Sequence, residues 1–363
     1  MKELPLHAWH SGHGAKLGEF AGFNMPLYYS KPLDEHHVVR RRVGVFDISH
    51  MGQFTLDGAR AEAFLQHAIA NDVAPIADGQ ALYSPLCRED GGVLDDLIVY
   101  RYRPDRWRII VNAGTREKDF RWLSGLAGSF GVTLRDISPD WCLFAVQGPE
   151  AFARLAPHAE TAPASLRYYH FAETRVLGLP VFLARTGYTG EPGCEVAVPR
   201  TAAPAFWERL TGELGIAPIG LAARDTLRLE AAMALYEHEL REEWNALESG
   251  LGWAVKLDKP ADFVGKSALR KVKDAGLAWR AVAIEVTGRG IPRAAYPVVR
   301  DGESIGVVTS GALSPTTGKS IALARVKAVH ARNGTALAVE VRGKAVEARV
   351  VPKPFYQSPR IRD

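Results

Sequence analysis

The chain has 363 residues, 47% hydrophobic and 24% charged, with a formal net charge of +4 at pH 7. This composition excludes a disordered or fibrous chain, and the length calls for two or three domains instead of one. Because 45 Lys and Arg interleave with 41 Asp and Glu, the weak positive balance makes no case for nucleic acid, while an anionic small molecule or an acidic protein partner suits it.

Three cysteines, Cys87, Cys142 and Cys194, lie far apart with no CxxC spacing. They point to a reducing compartment without disulfides or structural zinc. The opening MKELPLHAWHSGHGAK has neither an apolar signal core nor transit-peptide character, and no apolar run approaches the roughly 20 residues needed to span a bilayer. A cytoplasmic protein without membrane contact is expected.

In chain order, SGHGAKLG comes first. No apolar strand precedes it and its glycines are spaced G-x-G-x-x-x-G, so it reads as a turn leading into a strand and not as a dinucleotide fingerprint. His7, His10 and His13, with His36 and His37 further on, could line a helical face. Gly12, Gly14 and the lack of a nearby carboxylate favour solvent-facing or internally satisfied histidines over a metal site. Apolar periodicity predicts helices over 59–70, 116–127 (Phe120, Leu123 and Leu126 on one stripe), 203–214 and 224–240. Strands are predicted at 95–102, 107–112, 141–147, 180–185 and 195–198. The rhythm is not that of a doubly wound fold, and a mixed or antiparallel α+β body fits it. VGKSALRKVKDAG, residues 264–276, is the linker candidate. Beyond it, short β-rich runs punctuated by Asp301-Gly302 and Asn333-Gly334 read as a small all-β domain.

Two stretches place charge where chemistry could use it. In GGVLDDLIVY, residues 91–100, strand alternation sets Asp95 on a face with Leu97 and Val99, and Asp96 on the other with Ile98 and Tyr100. Either one acid borders a buried region and needs a partner there, or both belong to a solvent-exposed hairpin mouth. Gly91-Gly92 permits a tight turn or the close approach of a ligand. RTGYTGEPGCEVAVP, residues 185–199, brings Glu195 to the start of a strand, and GLAARDTLRLEAAMALYEHEL, from 220, puts Arg224 in the opening turn of a helix. An arginine there opposes the helix dipole unless it has another use. Together the two could read the donor and acceptor edge of a planar heterocycle, or form an ordinary surface ion pair.

HSGHGAKLGEFAGFNMPLYY, GVFDISHMG, GGVLDDLIVY, VNAGTREKD, GYTGEPGCEV, GLAARDTLRLEAAMALY and SGALSP, in this order along the chain, resemble the aminomethyltransferase or T-protein family of the glycine cleavage system. The resemblance implies an α+β, three-domain cloverleaf around a central folate channel, with mixed or antiparallel sheets and a small all-β C-terminal domain. It divides the chain into a folate-binding region, 1–260, and a C-terminal β-barrel, 275–363. The first region holds two subdomains, 51–139 and a discontinuous one made of 1–50 with 140–260.

The implied activity moves the methylene carbon of an aminomethyl group, carried on the lipoyl arm of an H-protein, to tetrahydrofolate, with release of ammonia. By position, Asp96 corresponds to the functional aspartate, Glu195 and Arg224 to residues that hold the folate, and Met51, Tyr83, Asn112 and Tyr188 to lining positions. Tyr356, in the tail KPFYQSPRIRD, is a candidate for a C-terminal tyrosine contact, and Asp95 is assigned to structure. REKD at 116–119 and the linker Lys/Arg cluster are docking candidates for the H-protein. Two alternatives remain: a relative acting on another amine or imine, and a non-enzymatic iron–sulfur assembly factor. The KGCYxGQE-type motif of the latter is replaced here by GYTGEPGCE.

Overall fold

The computed structural model describes residues 1–359. Ala81–Cys87, Val93–Arg103, Arg106–Val111, Gly52–Asp57 and Thr133–Asp136 pair in that order into a five-stranded antiparallel sheet. Helices Ala61–Ala68 and Arg116–Ala127 cover one face, enclosing Phe54, Phe64, Leu97, Val99, Trp107 and Leu123. Burying such side chains contributes roughly 1.5–3 kcal/mol each.

The second sheet runs Phe171–Val176, Leu179–Ala184, Gly193–Pro199, Trp141–Gln147, Gly44–Asp47 and Ala217–Pro218, antiparallel except for the last pair. One face packs Phe144, Val196, Phe206 and Trp207. The other meets the first sheet through Tyr100, Ile110, Phe46 and Phe182, with Leu227 of the helix Leu221–Glu230. That shared core holds the two sheets together.

Six strands, Trp279–Val286, Ser320–Lys327, Glu303–Leu313, Pro297–Arg300, Ala336–Val341 and Lys344–Val351, close into a barrel around Ile284, Val298, Val308, Val339 and Val350. Asp301 and Gly302, both at positive φ, make the tight hairpin turn that their dipeptide signals. Leu229 joins Ala283, Ile321 and Leu323 on the outside of the barrel, so one helix touches both sheet layers and the barrel. A small sheet of Lys2–Glu3, Phe23–Tyr28 and Lys16–Phe20 completes the N-terminal part.

Two expectations are corrected. Residues 264–276 are not a linker: Lys266–Ala275 is a helix, entered through Gly265 at φ 90 and left at Gly276. Leu269 supplies the apolar knob that docks it, fully buried among Val93, Leu240 and Phe263. The helix expected over 224–240 ends at Glu230. Ala232 turns to φ 55, the Tyr188 hydroxyl donates to the Ala234 carbonyl, and Arg228 bonds Glu239 at 2.9 Å. These tertiary bonds outweigh the continued 3.6-residue period, which is only a weak prior.

Candidate functional site

A cavity of about 1180 Å³ opens where the two sheets and the barrel meet. Asp96, Tyr83, Met51, Asn112, Tyr188, Glu195 and Arg224 all line it.

The strand Val93–Arg103 sets Asp96 on this wall. As alternation requires, Asp95 points the other way with Leu97 and Val99, and it is wholly buried. The exposed-hairpin reading of the pair is thereby excluded. Asn112, just past the end of the adjacent strand, bridges the two acids. Its Nδ2 donates to Asp95 Oδ1 at 2.8 Å and to Asp96 Oδ1 at 2.8 Å, while its backbone N–H donates to Asp95 Oδ2 at 3.1 Å. The Tyr83 hydroxyl also bonds Asp96. Burial and the charge of Asp95 push the Asp96 carboxyl well above the usual carboxylate range, and the bonds from Tyr83 and Asn112 only partly offset this. The site therefore holds an acid able to exchange a proton near neutrality.

Gly91-Gly92 serves a different purpose from the ligand approach its sequence allows. A Cβ on Gly92 would lie 2.0 Å from the Glu242 carbonyl oxygen, so the pair lets the 241–246 backbone cross closely over the strand.

At another wall, Glu195 follows the Gly-rich turn and accepts a 2.6 Å bond from Thr186 Oγ1. Burial raises its proton affinity, opposed by that bond and by the charge of Arg224. The Arg224 guanidinium lies 4.6 Å from the Tyr188 ring centroid. Its Nη1 is buried with no hydrogen-bond partner, and burial lowers its pKa despite the nearby Tyr188 and Glu195. The two do not form an ordinary surface ion pair: Glu195 is buried, and among the described residues no ion-pair contact within 4.0 Å joins it to Arg224. A buried donor without a partner costs about 1–3 kcal/mol, a cost that a ligand's acceptor would remove. Polar groups arranged around an apolar, aromatic-walled cavity of this size suit a heterocyclic ligand such as a folate.

Sequence reasoning missed several lining residues. His50, against Phe20 and Phe23, has its pKa lowered to about 3 by burial and by Arg224, and its Nδ1 lacks a partner. Trp253 stacks on Tyr83 at 5.2 Å while remaining 61% exposed. Arg325 and Lys353 contribute cations from the barrel side. No local pattern singles these out, since each is brought in by distant packing. Tyr356 does not line the cavity; it covers Arg40 at 4.1 Å. Of the docking candidates, Lys118 is engaged with the Tyr236 hydroxyl at 2.8 Å and Glu242 at 2.6 Å.

The N-terminal histidines serve packing. His10 Nε2 donates to Asp47 Oδ2 at 2.9 Å and its Nδ1 accepts from the Tyr29 hydroxyl at 2.8 Å, all within the fold interior. Among the described residues no group of three or more His, Cys, Asp or Glu side chains could hold a metal ion. Cys194 is buried and its thiol is pushed up to about 12 by burial and Glu195. It has none of the thiolate character that a reactive cysteine needs.

Two family models match the chain: the GCVT N-terminal domain over residues 6–259 and the glycine cleavage T-protein C-terminal barrel domain over 280–357. An aminomethyltransferase of Desulfitobacterium hafniense is 44% identical over 360 residues, covering 98% of each chain. One of Synechococcus elongatus is 46% identical over 368 residues, covering 99% of this chain and 97% of its own. The crystal structure of glycine cleavage system aminomethyltransferase T from Bartonella henselae superposes with a TM-score of 0.92 at 35% identity, covering 98% of both chains. The chain belongs to the glycine cleavage T-protein family.

Proposed function

We propose that the protein is a tetrahydrofolate-dependent aminomethyltransferase whose reaction takes place in the cavity beside Asp96. The observation that carries this reading is the gathering of Asp96, Glu195 and Arg224 on one cavity in a chain related to aminomethyltransferases over its whole length. The donor is an aminomethyl group on the lipoyl sulfur of an H-protein, S–CH2–NH3+. Its carbon forms bonds to N5 and N10 of the folate and loses those to sulfur and nitrogen. The two protons from N5 and N10 end on the lipoyl thiol and on the departing ammonium.

Bound folate supplies the nucleophilic nitrogens. Glu195 and Arg224 orient its pterin edge, and Tyr83, Met51, Asn112 and Tyr188 shape the surrounding wall. Asp96, fixed by Asn112 and Tyr83, stabilises the positive charge that develops on the methylene carbon and its nitrogen, and it accepts a proton from the attacking amine. Because its negative charge is preorganised, little reorganisation is needed as the transition state forms. Arg325 and Lys353 attract the anionic folate tail. The three units of the chain, 1–50 with 140–260, 51–139 and 275–363, surround the reaction, and the compartment is the cytoplasm.

The test is ammonia release from aminomethylated H-protein, with and without tetrahydrofolate. Folate-dependent release with 5,10-methylenetetrahydrofolate as product is expected. Folate binding without such release would overturn the transferase reading.

A further inference from the structure

Behind the cavity wall lies an acid that the reaction as described does not use. Asp119 sits in the first turn of the helix Arg116–Ala127, wholly buried, on the stripe with Leu123 and Ala127. Both its carboxyl oxygens are closed to solvent and receive no hydrogen bond, and the carboxyl faces the charge of Asp95. Two carboxyls in such contact cannot both be ionised.

The distribution of donors decides which holds the proton. Asp95 receives the Asn112 backbone N–H at 3.1 Å, Asn112 Nδ2 at 2.8 Å and Thr115 Oγ1 at 2.8 Å. Thr115 has a single hydroxyl hydrogen, whose acceptors are Asp95 Oδ2 at 2.8 Å and the Asn112 carbonyl at 3.1 Å, so none is left for Asp119. Asp119, whose oxygens no donor reaches, is therefore the neutral acid, and its O–H completes the ring of donors around Asp95. Burial and the charge of Asp95 raise the Asp119 pKa far above the carboxylate range, against the smaller opposing influences of Thr115 and Lys118.

We propose that Asp119 is a positioning residue for the transfer, donating its O–H to Asp95 and so fixing, through Asp95, the Asn112 amide that holds Asp96 in the cavity. The proposal rests on the reading of Asp96 as the reacting carboxylate. With the donor removed, Asp95 is free to turn toward other partners. Asn112 Nδ2 then no longer has one hydrogen committed to each acid, and Asp96 leaves its position.

The test compares Asp119→Leu, which removes the donor, with Asp119→Asn, whose amide N–H can replace the lost O–H. For folded protein, Asp119→Leu should lower kcat by about tenfold or more with KM for tetrahydrofolate within about threefold, since one displaced catalytic group commonly costs this much. Asp119→Asn should restore most of kcat. In an Asp96→Asn background the Leu substitution should cause no further loss, which a merely structural role would not produce. Where Asp119→Leu does not fold, Thr115→Val tests the same ring of donors and should give the same selective fall in kcat. Wild-type kcat in a folded Asp119→Leu or Thr115→Val variant, or equal damage from Leu and Asn, would overturn the proposal. Undiminished turnover in Asp96→Asn alone would instead remove the reading of Asp96, and this inference with it.

Discussion

Two buried ionic clusters lie on opposite ends of the helix Leu221–Glu230, and they are built to opposite rules. At its C-terminal end Glu230 accepts from Ser314 Oγ, from Thr316 N at 2.9 Å and Oγ1 at 2.7 Å, and from Arg40 Nη2 at 2.8 Å. His36 lies at 3.3 Å. Burial works against its charge, yet the His36 contact, the Ser314 bond and the Arg40 charge hold it down at about 2. Nothing there is left for a ligand to bond. Near the N-terminal end Arg224 keeps an unpartnered Nη1 and Glu195 is raised in pKa, with the Nδ1 of His50 also unpartnered. The first cluster clamps the Pro32–Arg41 helix and the barrel to the body of the protein. The second stores unsatisfied polarity, which marks a binding site better than charge density does.

The contrast can be broken from either side. Glu230→Ala should cost about 3–5 kcal/mol of stability, because it leaves Arg40 buried without its main partner; chemical denaturation would read this as a fall in the midpoint. Asp96→Asn should lower turnover roughly 100-fold, or about 3 kcal/mol, with folate affinity changed far less. Ammonia-release kinetics and a folate titration separate the two effects.

Removing Arg224 with Arg224→Ala should weaken folate binding by about 1–3 kcal/mol while leaving ligand-free stability almost intact. Equal losses in both measurements would place Arg224 with the clamp instead of the site.

The pH dependence sharpens the same comparison. The Glu195 pKa is raised in the folded state, so its contribution to stability is present below the ordinary glutamate range and is lost as pH rises through the folded value. The midpoint difference between Glu195→Gln and the wild type should therefore grow in favour of Gln from pH 4 to pH 8. Glu230 is depressed, so its contribution is present at neutral pH and lost as pH falls toward about 2. Smallest of all, Tyr356→Ala removes a ring from Arg40. It should cost about 0.5–1 kcal/mol, with folate affinity unchanged.

Much of this was legible along the chain. Alternation alone put Asp95 and Asp96 on opposite faces, and the dipeptide turns and β-rich runs after residue 275 indicated the barrel. Phe120, Leu123 and Leu126 mark the apolar stripe, but Asp119 falls within REKD, which its charges assign to a docking surface, whereas the fold buries it completely. An acid one turn before Leu123 on an apolar face is the signal that could have found it. The helix at 266–275 was hidden by its lysines, since only Leu269 among its side chains is fully buried.

The sequence by itself determined the strands, most of the helices and the residue types around the site, because periods of 2 and 3.6 are local properties of the backbone. Only the tertiary structure decided which polar groups are satisfied. Arg40 meets Glu230 across 190 positions and Lys118 meets Glu242 across 124, whereas Arg224 is left with a buried donor unpaired. Whether a charge is clamped or kept available depends on partners brought from such distances, and no local pattern encodes that difference.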